Sequence, residues 1–143
     1  MQALGLELRY AYLLLCTHFA DTCVIAEVES RLAGFVSSYK KPTDDSVLFV
    51  WQVAVGLDAR GRGLASRMLS ELMSREPCRD IRWIETTITP SNHASRALFE
   101  SFAKRHGAGC FEQPLFQEEH FGGAGHEAER LFRIGPLRPR PKD

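Results

Sequence analysis

Charge of one sign is missing from this sequence: Lys plus Arg number 18 and Asp plus Glu number 18 in 143 residues, a formal net charge of zero. A balanced chain has no global field to draw in nucleic acid or an anionic membrane, so any anion it binds must meet a local arrangement. Long hydrophobic runs are missing too. The apolar stretch from Tyr12 to Cys16 is far shorter than the ~20 residues that cross a bilayer, and no basic segment with a cleavage site precedes it. Cysteine is sparse. Cys16, Cys23, Cys78 and Cys110 include no CxxC pair, which argues against a zinc cluster and fits reduced thiols used as core filler. No repeat and no linker interrupts the chain. The expectation is one domain over residues 1–137 with a frayed tail over 138–143, soluble and cytoplasmic, with no nucleic-acid, membrane or metal partner.

What is present is a strand that runs into a glycine-arginine turn and then a helix. Leu48 to Val55 is almost wholly apolar and β-branched, as in a strand buried on both faces. The period then changes: Leu64, Met68, Leu69, Leu72 and Met73 share one helical face, so a helix is expected from near Gly63 to about Arg75. Its first turn presents unpaired N–H groups and the positive end of the dipole, an anion site made of backbone. Gly61 and Gly63 let a phosphate approach the main chain, and Arg60 and Arg62 add charge. No lysine follows Gly63, which excludes a Walker A loop, and Ser66 stands where a dinucleotide fingerprint needs glycine. The pattern Arg-x-x-Gly-x-Gly/Ala is met in full by Arg60, Gly63 and Ala65. A plain glycine-rich surface turn is the bland alternative, but turns seldom combine strand, loop and helix in this order.

The other elements alternate. A helix is expected over Tyr10 to Phe19 and an antiparallel hairpin over Cys23 to Glu29 and Leu32 to Tyr39. Lys40 to Ser46 reads as a loop. Ile81 to Thr87 reads as a strand, and Ser91 or Asn92 caps a helix whose face carries Ala94, Ala97, Leu98 and Phe102 and which ends near Gly107. Phe111 to Phe116 and Arg130 to Ile134 are closing strands. His18, His93 and His106 read as helix-surface residues, and Arg133 and the tail arginines as solvated.

The loop through Arg60, Gly63 and Ala65 resembles the pyrophosphate loop of the GNAT superfamily of N-acetyltransferases. A second segment fits the same superfamily, Asn92 and Ser95 at a helix start, but Phe99 stands where those enzymes carry a tyrosine that protonates the departing thiolate. The resemblance narrows over four separated strings: Tyr10 to Cys16, Phe49 to Val55, Trp83 to Asn92 and Phe121 to Glu127. Together they are similar to the L-2,4-diaminobutyrate acetyltransferases of ectoine biosynthesis and osmoprotection, over nearly all of Tyr10 to Leu137. The resemblance implies an α/β GNAT fold, a mixed, twisted central sheet flanked by helices; the chain departs from it at the amino end, where the family's first strand and helix are expected to be shortened and Glu7-Leu8-Arg9 stands in place of an acidic-Leu-Asn-Ser stretch before Tyr10. It implies acetyl-CoA as cosubstrate, a small amino acid as acceptor and a homodimer. Cofactor contacts fall on Val53, Val55, Arg60, Gly61, Arg62, Gly63, Leu64, Ala65, Asn92 and Ser95, with the Val53 N–H as oxyanion donor. Substrate contacts fall on Tyr10, Trp51, Glu85, Thr87 and His126.

The chemistry asks for one more group. A primary amine of pKa near 10.4 is mostly protonated at pH 7, and freeing its lone pair costs roughly 4 to 5 kcal/mol. Glu85, on the strand after the cofactor helix, is the expected general base, directly or through water, with a substrate-ammonium partner and a solvated carboxylate as the other readings. Trp51 is either core packing or a pocket wall suited to a short methylene chain. His126 reads as a carboxylate contact or proton relay. The spacing of His120 and His126 with Glu118, Glu119 and Glu129 matches no zinc pattern. Acetylation of another amine, such as a polyamine or a protein N-terminus, and acyl-CoA sensing without turnover stay open as alternatives.

Overall fold

The computed structural model describes residues 2–122 and 125–141. In chain order these form α1 (Gln2–His18), β1 (Val24–Val28), β2 (Arg31–Lys41), β3 (Asp44–Val55), α2 (Leu64–Ser74), β4 (Trp83–Ile88), α3 (His93–Arg105), β5 (Gly109–Phe116) and β6 (Glu129–Gly135), with short 3-10 turns between some of them. The strands make one six-stranded sheet in the order β1-β2-β3-β4-β6-β5. Every neighbouring pair is antiparallel except β3 with β4. The expected mixed sheet flanked by helices is the observed architecture.

One face of the sheet carries the core. Met68, Leu69 and Leu72 of α2 and Phe99, Phe102 and Ala103 of α3 are buried against Val36, Leu48, Val50, Ile84 and Ile134. The helix-period spacing of α2 sets that face. It can lie close to the strands because Gly34 has no side chain: a Cβ there would stand 2.8 Å from the Ala54 carbonyl and 3.0 Å from the Met68 methyl. α1 covers part of the opposite face, where Tyr12 packs edge-on to Phe35.

Several expectations are corrected. Gln2–His18 is helical throughout, so the residues before Tyr10 extend α1 and the first described strand is Val24–Val28. The segment read as a loop from Lys40 to Ser46 is mostly strand: Lys41 pairs with Asp44 around Pro42 and Thr43, because two residues suffice to reverse an antiparallel pair. β3 is buried on both faces only around Val47 to Val50, and its last five residues, Trp51 to Val55, are part or fully exposed. On α3 the buried positions are Phe99, Phe102 and Ala103, while Ala94 and Ala97 are exposed. Only Cys78 is core; Cys16 and Cys110 are exposed and Cys23 is intermediate. Arg133 is not solvated: its guanidinium sits 4.1 Å from the Trp83 ring centroid. Nor is the tail loose at its start, because Leu137 donates its N–H to the Arg82 carbonyl at 2.7 Å and Arg140 donates to the carbonyls of Ser74 and Arg75 at 2.7 and 2.8 Å. Met1, Gly123, Ala124, Lys142 and Asp143 lie outside the described residues.

Candidate active site

The site begins where two parallel strands part. β3 and β4 pair from Val47 with Trp83 to Val50 with Thr86, and no further. The Thr86 hydroxyl closes the end of that ladder by donating to the Val50 carbonyl at 2.8 Å. Just past this point β3 has a bulge: Val50 pairs with Ser38 and Gln52 with Ser37, leaving Trp51 without a partner. An extra residue bends the strand and turns its side chain away from the regular pleat. Beyond the bulge β3 keeps β2 and loses β4.

This parting frees backbone donors. Gly56 donates its N–H to Ala33 on β2 at 2.8 Å, and successive N–H groups along a strand alternate in direction. The N–H groups of Val55 and Val53 therefore point away from β2, into the fork that β4 has vacated. The Val55 carbonyl points the same way and accepts from Arg60 Nε at 3.2 Å.

The turn after β3 completes the cleft. Gly61 and Gly63 have φ of 75° and 71°, and a Cβ at either position would meet nothing within 4 Å. The left-handed backbone, rather than crowding, is what calls for glycine there. Gly63 caps α2 with no side-chain acceptor, so the first N–H groups of the helix face the cleft unpaired. Across from it, Asn92 caps α3 by accepting from the Ser95 N–H at 3.1 Å. The cleft, about 830 Å³, is lined by Val53, Val55, Arg60, Gly61, Gly63, Leu64, Ala65, Asn92 and Ser95, among others. Of the residues assigned to the cofactor by sequence, Arg62 alone falls outside this lining and faces an adjoining groove. A long, flexible ligand with an anionic centre fits these walls: donors along the strand, then a backbone anion cradle.

On the other face of the sheet, at the same fork, stands a second group of side chains. Register places Tyr39, Phe49, Glu85 and Arg133 in one row across β2, β3, β4 and β6. Glu85 is 3% exposed and receives a hydrogen bond from Lys41 Nζ at 2.8 Å, which removes the solvated-carboxylate reading. A buried carboxylate needs such a partner. Thr87 lies two residues further along β4, towards the open end of the fork. Trp51 is 41% exposed, so it is a wall and not core. Tyr12 of α1 stacks on it, centroids 6.0 Å apart at 23°, and donates its hydroxyl to Gln52 at 2.7 Å. Tyr10, expected to touch substrate, is 64% exposed on α1; it is Tyr12 that meets Trp51 and Gln52, and sequence did not single it out. Lys41 and Gln52 were missed as well, because their partners are 44 and 40 residues away.

His126 sits in the connection between β5 and β6. It stacks on Phe121 at 4.0 Å, its Nδ1 lies 2.6 Å from the Glu127 carbonyl and its Nε2 lies 3.9 Å from Glu129. Glu127 ties this segment to the start of α3 by accepting from the Ser91 N–H at 3.2 Å and from the Ser91 hydroxyl. Phe99 is 2% exposed in the core and not among the cleft residues. Among the described residues no three His, Cys, Asp or Glu side chains gather as a metal site.

Forked parallel strands, a glycine cradle and free strand N–H groups are the marks of an acyl-CoA-dependent acyltransferase, and the model of the acetyltransferase (GNAT) family matches residues 3–103. The chain belongs to that family. It is 51% identical over 139 residues to L-2,4-diaminobutyric acid acetyltransferase of Bordetella parapertussis, covering 96% of this chain and 75% of that one. It is 47% identical over 130 residues to the protein of the same description from Halalkalibacterium halodurans, covering 91% and 69%. Among solved structures, diaminobutyrate acetyltransferase EctA from Paenibacillus lautus, in complex with its substrate L-2,4-diaminobutyric acid and coenzyme A, superposes with a TM-score of 0.88 at 42% identity, covering 93% of this chain and 81% of that one.

Proposed function

We propose that this protein transfers the acetyl group of acetyl-CoA to the 4-amino group of L-2,4-diaminobutyrate, giving 4-acetamido-2-aminobutanoate and CoA, a step of ectoine biosynthesis. The observation that carries the reading is the fork itself. It exposes the Val53 and Val55 N–H groups beside a glycine cradle on one face and a buried carboxylate next to an aromatic wall on the other.

In this reading the cradle from Arg60 to Ala65 holds the diphosphate, the Val55 N–H binds the pantetheine arm, and the Val53 N–H donates to the thioester oxygen as charge builds on it. Asn92 and Ser95 line the far wall. Once deprotonated, the amine nitrogen attacks the thioester carbon, the C–S bond breaks, and the second proton that nitrogen loses as the amide forms goes to the departing thiolate, directly or through solvent, giving the CoA thiol. Glu85 takes the ammonium proton, directly or through water, while Lys41 keeps that carboxylate oriented. Trp51, Thr87 and His126 contact the amino acid. Phe99 can donate no proton, and a thiol of pKa about 8.5 leaves without strong assistance, so the reaction does not require a tyrosine there.

A homodimer fits the exposed apolar side chains on α1 and the β1–β2 edge, where Tyr10, Leu13, Ile25 and Leu32 are each 64% exposed. Sedimentation at micromolar concentration tests this: a species of 32 kDa supports it, and a 16.1 kDa monomer at all concentrations contradicts it. No described helix is long and apolar enough to cross a membrane, which agrees with action in the cytoplasm.

The substrate assignment is tested by comparing kcat/KM for L-2,4-diaminobutyrate, ornithine, lysine, putrescine and a peptide N-terminus. Diaminobutyrate should exceed each of the others by about tenfold or more. A higher value for a polyamine or peptide would replace it.

A further inference from the structure

The cofactor cleft does not end at the glycine cradle. At Gly63 and Ser66 it opens into a second groove, about 600 Å³, that runs along α2 towards the carboxyl end of α3. The α2 wall presents Ser66, Ser70 and Ser74, one helical turn apart, so no bulky side chain closes it. Three guanidinium groups line it: Arg62 from the turn, Arg67 from the first turns of α2, and Arg105 from the end of α3. One carboxylate, Glu71, lines it too.

The placement of these charges is unfavourable unless an anion joins them. Arg62 and Arg67 stand at the positive end of the α2 dipole, where cations are disfavoured, and no acidic residue occupies the first turn of α2 to offset them. Among the described residues none of Arg62, Arg67 and Arg105 has an ion-pair partner within 4 Å; the ion pairs there are formed by Lys41, Arg79, Arg96, Arg130 and His126. In a chain of zero net charge, such a concentration of unpaired cations beside an anion cradle is a local feature of the surface.

Resting on the reading that the cleft holds acetyl-CoA, we infer that this groove binds the 3′-phosphate of the coenzyme, with Arg67 and Arg105 as its main contacts and Arg62 between it and the diphosphate. The 3′-phosphate is one ribose removed from the diphosphate, so a ligand seated on the cradle carries its second anion to the next site along the groove. Guanidinium groups suit a phosphate monoester because their planar donors pair with its oxygens. The consequence is selectivity between coenzyme A and its 3′-dephospho form, supplied by Arg105, which lies 42 residues beyond Gly63 and outside the phosphate-loop pattern.

Calorimetric titration of the whole chain with CoA and with 3′-dephospho-CoA tests this. The wild-type protein should bind CoA at least about tenfold more tightly, and raising the salt should narrow that gap. Arg105→Ala should lose about tenfold for CoA and leave dephospho-CoA unchanged, with Arg67→Ala, on an exposed helical surface, behaving alike. Equal wild-type affinity for the two ligands, or an equal loss of both in the folded variants, would overturn the inference. Failure of folded wild-type protein to bind either ligand would overturn the coenzyme assignment itself, and this inference with it.

Discussion

At the residue scale, the fork turns on Glu85 and Trp51, and the two differ in how they are held. Glu85 is 3% exposed, and its bond to Lys41 is the polar contact that compensates for its burial. Glu85→Gln keeps the shape and removes the base. The expected result is a fall of about a hundredfold in kcat and loss of the rise of rate with pH, measured as a pH profile of kcat/KM. A variant with the wild-type profile would show that Glu85 serves orientation only. Tyr12→Phe leaves the ring on Trp51 but removes the donor to Gln52; we expect a loss of about 1 kcal/mol in stability and a raised KM for the amino acid, read by chemical denaturation and steady-state rates. The cradle was legible in the sequence because its whole meaning is local: two glycines, an arginine and a change of period within a few residues. Lys41 with Glu85 and Tyr12 with Gln52 were not, since each joins positions that only the folded sheet and helix bring together. Phe99 shows the reverse case. Its position in a helix-start pattern pointed to the site, while its side chain is spent in the core.

At the element scale, two turns carry left-handed backbone, and only one of them carries it on residues that resist it. The β1–β2 hairpin is closed by Glu29 and Ser30, at φ of 52° and 64°, the geometry that favours Asn-Gly. Replacing the pair by Asn-Gly should stabilise the protein by about 1 kcal/mol or somewhat more, seen as a higher melting temperature with unchanged kinetics, because neither residue lines the cleft. At Gly63, φ of 71° makes the same demand, here met by glycine. Gly63→Ala should cost about 1 to 2 kcal/mol and weaken coenzyme binding, even though a Cβ there meets open space, because the strain is in the backbone. Elements with strong periodicity, such as α2, were readable almost to the residue. The Pro42–Thr43 reversal was not, since a proline beside two aspartates reads equally as a long loop. The parting of β3 from β4 was also hidden, because an apolar run looks the same whether its last residues face another strand or an open cleft.

At the scale of the whole molecule, the sheet joins two sites by opposite faces of one fork, and its far side is stitched by charge. Glu112 of β5 accepts from Arg96 of α3 at 3.1 and 3.2 Å and from Arg130 of β6 at 2.5 Å. Hydrogen bonds from Arg96, then from Arg130, hold its carboxyl below the ordinary carboxylate range. A lowered folded-state pKa adds stability that is present above the unfolded pKa, about 4.3, and is lost as pH falls through the folded value. Glu112→Gln should therefore flatten part of the acid-side loss of stability below about pH 4.3, with little change at pH 7 beyond the loss of the pairs themselves. The order β4-β6-β5, which places the late strands against the fork's second strand, follows from no local pattern, and it is what brings the His126 segment to the start of α3. The transfer of acetyl to one particular nitrogen is where all of this geometry converges. Incubating the protein with [1-¹³C]acetyl-CoA and L-2,4-diaminobutyrate, and following the label by NMR, should show the acetyl carbon on the 4-nitrogen with matching release of CoA thiol. Label on the 2-nitrogen, or coenzyme bound by folded protein with no transfer to this amino acid, would contradict it.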